Sequence, residues 1–381
     1  VEAALIEGID RLLADGVGGA PRAQFPGAVC AVDDGVSTTI RLSGDALRYA
    51  DMSGTQLPPE RRRAVREDTL FDLASLTKLF TAMVIMRLVD GGLVDLDDHV
   101  GAHLEAYRVG EKQQVTVRQL LTHTSGLPAE IFVWQDFADP ADRRTAVLSC
   151  PLEASPGSRF RYSCVGYITL GLLAERVTAK PLDRLVDELA SGLGLEDTGY
   201  RPLDRLGPDG IERIAATEMR PISWSPQVAG NRVAHLDHRG VVHDENAASL
   251  DGVSGNAGIF APAAAVARFG RAILDGFAGA AAPPPLSQHG LTTLLAPQLP
   301  AGLNEYQSGL GFRIDDLSFM GSLAGSGQAY GHTGFTGTSL VIDAARNVVV
   351  VLLTNRVHPS REWSAMNDHR RRLHDLVAAH Y

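Results

Sequence analysis

The chain has 381 residues, 45% of them hydrophobic and 21% charged, with a formal net charge of −10. This composition excludes a disordered chain and supplies apolar material for one large domain or two packed closely together. A negative balance without a basic stripe argues against nucleic acid, since the run Arg61-Arg62-Arg63 is followed by Glu67 and Asp68 and reads as a solvated loop. Cys30, Cys150 and Cys164 form no CxxC pair, which argues against a disulfide framework. No apolar run is long enough to span a bilayer, and no charged-then-apolar leader opens the chain. The default expectation is a cytoplasmic protein, with a removed leader left open because the first residue is Val1.

In chain order, Leu5, Ile9, Leu12 and Leu13 mark an amphipathic helix over residues 1–15, ended by Gly16, Gly18 and Gly19. FPGAVCAVDDG then reads as a strand and turn, and VSTTIRLSGDA as a second strand. A short extended stretch leads to Ser75. From there Leu76, Leu79, Phe80, Met83, Val84 and Leu88 form a helical stripe that Gly91-Gly92 stops. VTVRQLL begins another helix capped by Thr116, and THTSGLP breaks it. Helices follow at 165–177 and 182–189, then an irregular region over 200–250, of the kind that borders a cleft. A helix spans 261–277, and AAAPPP reads as a linker. After Leu310 the pattern turns to strands, ending in the continuous apolar run NVVVVLLTN and a helix around Trp363 to Tyr381. The predicted fold is α+β: a three-layer α/β/α arrangement with an antiparallel sheet, plus a helical domain. Its division is discontinuous, with 1–72 and 305–381 building the sheet domain and 73–304 the mainly helical one.

Three short motifs carry chemistry. In FDLASLTKLF, Ser75 and Lys78 are three residues apart, so on a helix the amine lies beside the hydroxyl and can take its proton. The plain alternative is a helix start with Ser75 as cap and Lys78 solvated. In RYSCVGY, Tyr162 precedes a helix, where a phenolate near a lysine ammonium can accept a proton; a half-buried packing tyrosine is the alternative. In YGHTGFTG, the glycines at 331, 334 and 337 admit close backbone approach. The strand edge after them offers an N–H to an oxyanion, and His332 brings a proton donor or positive character. An ordinary glycine-rich turn with an exposed histidine is the alternative.

Together and in this order, the motifs resemble the serine β-lactamase and penicillin-binding-protein superfamily, in its class C β-lactamase-like branch with esterase and acyltransferase relatives. FDLASLTKLFTA, LLTHTSGLP, VHDENA, GVSGNAGIF, GHTGFTGTSLVID and LLTNRVHP look like that family's landmarks over nearly the whole chain. The resemblance implies Ser75 as the acyl-accepting nucleophile, with Lys78 and Tyr162 sharing the proton work. It implies an oxyanion hole from the backbone N–H groups of Ser75 and Phe335. His332 and Thr333, with Gly334, would line the carboxylate or leaving-group side.

The sequence departs from the family at two positions. Cys164 stands where the family usually has Asn, and a thiol bonds a substrate carbonyl or a lysine poorly. His332 replaces the Lys of many β-lactamases, which lowers the expectation of a fixed cation for a substrate carboxylate. Both favour an esterase, a peptidase-like or an acyl-transfer enzyme over a true β-lactamase, with hydrolysis of an ester or amide as the first reading. An acyltransferase passing the acyl group to an amine or alcohol is the second reading, and a non-catalytic binding or sensor module the third. Cys164 as nucleophile has no neighbouring base in sequence. His235, His238, His243 and Asp244 do not match a zinc spacing, so no metal and no cofactor is expected; His243, Asp244 and Asn246 instead hold a cleft-bordering loop through hydrogen bonds. Trp134 and Trp224 either wall the acyl pocket or pack in the core. The expected partners are a small-molecule ester or amide and, for transfer, a second acceptor.

Overall fold

The computed structural model describes residues 2–19, 22–219, 239–280 and 284–381. Its strands are β1 (Gly27–Asp33), β2 (Thr38–Leu47), β3 (Arg63–Ala64), β4 (Phe71–Asp72), β5 (Phe260–Ala261), β6 (Gln307–Ser308), β7 (Arg313–Ile314), β8 (Ala329–Thr333), β9 (Ser339–Asp343) and β10 (Val348–Thr354). Eight of them form one sheet in the order β3-β2-β1-β10-β9-β8-β7-β6. Every pairing is antiparallel, and at the centre Cys30 of β1 faces Leu352 of β10. Both central strands are buried at every position. That is why they read as unbroken apolar runs instead of an alternating pattern.

The period-two side chains divide between two cores. Ala28, Cys30 and Val32, with Val348, Val350 and Leu352, pack against helices α1 (Ala3–Gly18) and, at the other end of the chain, Asn367–Ala378. Val29, Ala31, Val349, Val351 and Leu353 point the other way. There they meet α5 (Ala263–Phe277) and share one core with the stripe of α2 (Thr77–Asp90), α3 (Cys164–Thr178) and α4 (Leu182–Gly192). The sheet is therefore the middle of three layers; we call the last helix, Asn367–Ala378, α6. Each fully buried valine or leucine contributes about 1.5–3 kcal/mol, so the two central strands alone anchor the fold. Among the described residues no helix is long and apolar enough to cross a membrane.

Three local expectations change. Gly16 does not stop α1, which runs to Gly18; the face of Gly16 lies under the Phe25 ring, where a Cβ would come within 2.1 Å of Cζ. The first four residues of the glycine-rich motif, 330–333, belong to a strand, β8, paired in register with β9, which goes against the alternative of a plain turn with an exposed histidine. A strand suits Gly331 because a Cβ there would meet Leu340 O of β9 at 2.2 Å. The last helix starts at Asn367, and Trp363 precedes it, edge-on to Tyr49. Helices at Pro140–Ser149, Gln288–Leu295 and Leu317–Met320 had no counterpart in the sequence reading.

Candidate active site

The segment before Ser75 is fixed on both sides. β4 pairs with β5, and Leu73 N–H donates to Ile259 O at 2.9 Å. Ala74 has φ +48°, a left-handed conformation that costs a non-glycine residue about 1 kcal/mol or more. Asp72 holds it there, because its Oδ1 accepts from Ala74 N–H at 2.8 Å while Oδ2 accepts from His243 N–H at 2.6 Å. The sharp turn leaves Ser75 half-buried in the 3-10 turn Ala74–Leu76 that leads into α2.

Lys78 follows one turn later, fully buried. Its Nζ donates to Ser75 Oγ at 3.1 Å, Asn256 O at 3.0 Å and Cys164 Sγ at 3.6 Å, which uses all three ammonium protons. Burial works against the charge, but Cys164, Tyr162 and the Asp244 carboxylate face it and outweigh burial, so its pKa lies above the usual lysine value. The Cys164 thiol moves up as well, chiefly through burial, which leaves it a poor nucleophile.

Tyr162 enters from the loop before α3. Ser163 caps that helix by accepting from Gly166 N–H at 3.1 Å, and its own N–H donates to His123 Nδ1 at 3.0 Å. The half-buried Tyr162 ring has Lys78 Nζ 5.0 Å from its centroid, the His123 ring at 4.5 Å and Arg313 Cζ at 5.8 Å. Its surroundings are thus cationic. His123 itself, at φ +60°, is held well below the ordinary histidine pKa by burial and then by Lys78 and Arg313.

His332 lies on β8, 2% exposed, and its Nδ1–H donates to Thr333 O at 2.7 Å. Burial, Arg313 and Lys78 push its pKa well below normal. The imidazole is therefore neutral, with Nε2 an acceptor, which corrects the expectation that it supplies positive character or a donated proton. A fixed cation is present all the same. A cleft of about 400 Å³ is lined by Ser75, Tyr162, Thr333 and Phe335 together with Arg313, Arg356 and Arg370. Arg313 pairs with Asp316 at 2.9 Å, and its buried Nε has no partner among the described residues. Arginines therefore bring to the cleft the positive charge that position 332 does not.

The turn from β8 to β9 is tied to the Ser75 segment. Thr336 Oγ1 donates to Asp72 O at 2.7 Å and Thr338 Oγ1 to Leu73 O at 3.0 Å. Gly334 admits this contact, since a Cβ there would meet Thr338 Oγ1 at 2.0 Å and Leu73 O at 2.5 Å. Among the described residues, the N–H groups of Ser75 and Phe335 have no hydrogen-bond acceptor. Ser75 and Phe335 line the same cleft, and unpaired backbone donors are the kind of group a developing oxyanion needs.

The cleft-bordering residues divide. Asp244 caps the short helix Glu245–Ser249 by accepting from Ala247 N–H at 2.8 Å. His243 uses its ring as well as its backbone: Nε2 meets Glu218 Oε2 at 3.0 Å, and the ring stacks 5.7 Å from that of Phe335. Asn246 is buried; its carbonyl accepts from Ser249 Oγ, and its side-chain Oδ1 has no partner among the described residues. Trp134 packs against the cluster of Leu70, Ile214 and Phe260. Trp224, His235 and His238 lie outside the described residues. Asp72, His123, Arg313 and Arg370 were not singled out from sequence; His123 stands within LLTHTSGLP, the one signal that marked its neighbourhood.

The profile of the family described as Beta-lactamase matches residues 9–375. The chain is 32% identical over 358 residues to the N-acetylmuramyl-L-alanine amidase of Bacillus subtilis (strain 168), a match that covers 88% of this chain and 78% of that protein. A solved class C beta lactamase superposes with a TM-score of 0.74 at 17% identity, over 98% of each chain. EstCE1, described as a hydrolase with promiscuous acyltransferase activity, superposes with a TM-score of 0.71 at 19% identity, again over 98% of each chain.

Proposed function

The chain belongs to the Beta-lactamase family, with the α+β fold of β-lactamases and transpeptidases, and on that premise we propose that it cleaves an ester or amide through an acyl-enzyme on Ser75. It is an enzyme of the serine hydrolase and acyltransferase superfamily. The observation that carries the assignment of Ser75 is its Oγ at 3.1 Å from a buried lysine ammonium, in the cleft that Phe335 also lines.

Ser75 Oγ adds to the substrate carbonyl as its proton passes to Tyr162 in its phenolate form, a form that the neighbouring Lys78 ammonium favours, and Tyr162 becomes the neutral phenol. The carbonyl oxygen turns negative and takes the N–H groups of Ser75 and Phe335. Tyr162 then returns the proton to the departing alcohol or amine, leaving an ester on Ser75. Water, activated by the same groups, releases the acid; a bound amine or alcohol in its place gives transfer instead. Lys78 enters this cycle as an ammonium, so its part is to hold Ser75 Oγ and balance charge, not to act as the resting base. Thr333 and the neutral His332 border the leaving-group side. The Arg313 guanidinium, which lines the cleft beside Tyr162, supports a leaving group that carries a carboxylate.

The test is p-nitrophenol release from a short-chain ester by wild type and Ser75→Ala, with and without an added amine. Ser75→Ala should lose at least ~10³-fold in turnover. Acceleration by amine with a new amide product would identify transfer, and equal rates in both proteins would end the proposal.

A further inference from the structure

One peptide group of the cleft is held from behind by a buried arginine. The Gly334–Phe335 peptide has its N–H, on Phe335, unpaired among the described residues. Its carbonyl, on Gly334, accepts from Gly337 N–H at 3.0 Å and from Arg370 Nη2 at 2.9 Å. The same Nη2 reaches Thr338 O at 2.9 Å, and Nη1 is steadied by Asn367 Oδ1 at 2.8 Å. Arg356 takes the next carbonyl, Nε to Phe335 O at 2.7 Å. Arg370 comes from α6, 36 residues away from Gly334, and is only 6% exposed. Among the described residues its hydrogen-bond partners are two main-chain carbonyls and an amide, with no carboxylate. Burying an unneutralised guanidinium is costly, and a brace for two carbonyls does not need a charge. The charge itself therefore has a use.

We propose that Arg370 is a positioning residue for oxyanion stabilisation, acting through the Gly334–Phe335 peptide. It rests on the reading of Ser75 and Phe335 N–H as the oxyanion donors. By bonding the carbonyl end, the guanidinium fixes the plane of that peptide against rotation. It also draws electron density toward the carbonyl oxygen, so the N–H at the other end donates more strongly when the substrate oxygen becomes negative. The effect grows with charge on that oxygen and is small in the ground state, so it belongs to kcat more than to KM. Burial, followed by the charges of Arg356 and Arg313, lowers the Arg370 pKa to about 9, which keeps it charged at neutral pH.

The experiment compares wild type, Arg370→Gln and Arg370→Lys in the full chain with two readouts, ester turnover and inhibition by phenylboronic acid. The boronic acid adds Ser75 Oγ to boron with release of one proton and forms a tetrahedral anion whose oxygen takes the place of the oxyanion. Loss of a whole oxyanion donor costs about 10²–10³ in kcat, so weakening one is expected to cost roughly 10–100-fold. Arg370→Gln should lower kcat by that factor with KM within about threefold, and weaken the boronate by a similar factor. Arg370→Lys, which keeps the charge but loses the Nη1 contact to Asn367 that steadies the group, should fall between. A merely structural role would reduce the active fraction and thermal midpoint but leave boronate affinity of the surviving enzyme unchanged; that result overturns the proposal. Boronate that binds wild type and Ser75→Ala alike would instead overturn the Ser75 reading itself.

Discussion

Lys78 has no proton to spare in its ground state. Its three donors are taken by Ser75 Oγ, Asn256 O and Cys164 Sγ. Replacing it strands a buried carbonyl at a cost of about 1–3 kcal/mol, so Lys78 variants mix stability with chemistry. Tyr162 separates the two, because its phenol is half-buried at the cleft. Tyr162→Phe should lower kcat by about 10²–10⁴ while the thermal midpoint barely moves; unchanged turnover would remove Tyr162 from the mechanism. Cys164→Asn is the complementary change, placing an amide where the sulfur accepts from Lys78. If it gains no turnover of a β-lactam, the thiol is not what limits that activity. The Ser75–Lys78 pairing was legible because it is local: three residues on a helix meet whatever the rest of the chain does. Asp72, His123 and Arg313 reach the site through a strand edge, a left-handed turn and a distant strand, and spacing carries no trace of such approaches.

At the scale of elements, the β8–β9 turn and the Ser75 segment act as one unit. Gly334 is the point of closest approach, and the nearest obstacle that cannot rotate away is the backbone oxygen of Leu73. Gly334→Ala should therefore move the turn off Ala74 and cost at least ~10² in kcat even where the protein stays folded. Wild-type turnover in this variant would show that the turn's position is not critical. The glycines that permit the contact also hid the strand. Gly331 and Gly334 left a plain turn open as the alternative for residues 330–337, whereas β8 uses Gly331 for close packing against β9. The same logic applies to Gly16, which resembled a helix stop and is instead a seat for Phe25. The longer elements, β1, β10, α2 and α5, were readable because their apolar pattern is set by burial on one or both faces.

For the whole molecule, the cores hold neutral imidazoles. His123, His332 and His374 all have pKa values pushed down chiefly by burial, His374 to about 4. Unfolded, each titrates near 6.5, so below that pH the unfolded chain binds more protons than the native one. The stability is complete above about pH 6.5 and is lost as pH falls toward the folded values. At pH 5 His374 alone, held at about 4, costs about 2 kcal/mol, and His123 and His332 act in the same direction. The urea midpoint should drop steeply between pH 7 and pH 5; equal midpoints would mean these side chains are charged or solvated in the native state. Sheet order and the joining of β1 to β10 bring Ser75, Tyr162 and Arg370 around one cleft from widely separated segments. The central claim is a covalent one. Intact-mass spectrometry of the protein quenched in acid during turnover of an activated ester, followed by peptide mapping, should find one added acyl group on the peptide containing Ser75, absent in Ser75→Ala. An unmodified wild type that still turns the ester over, or an adduct on any other residue, would contradict it.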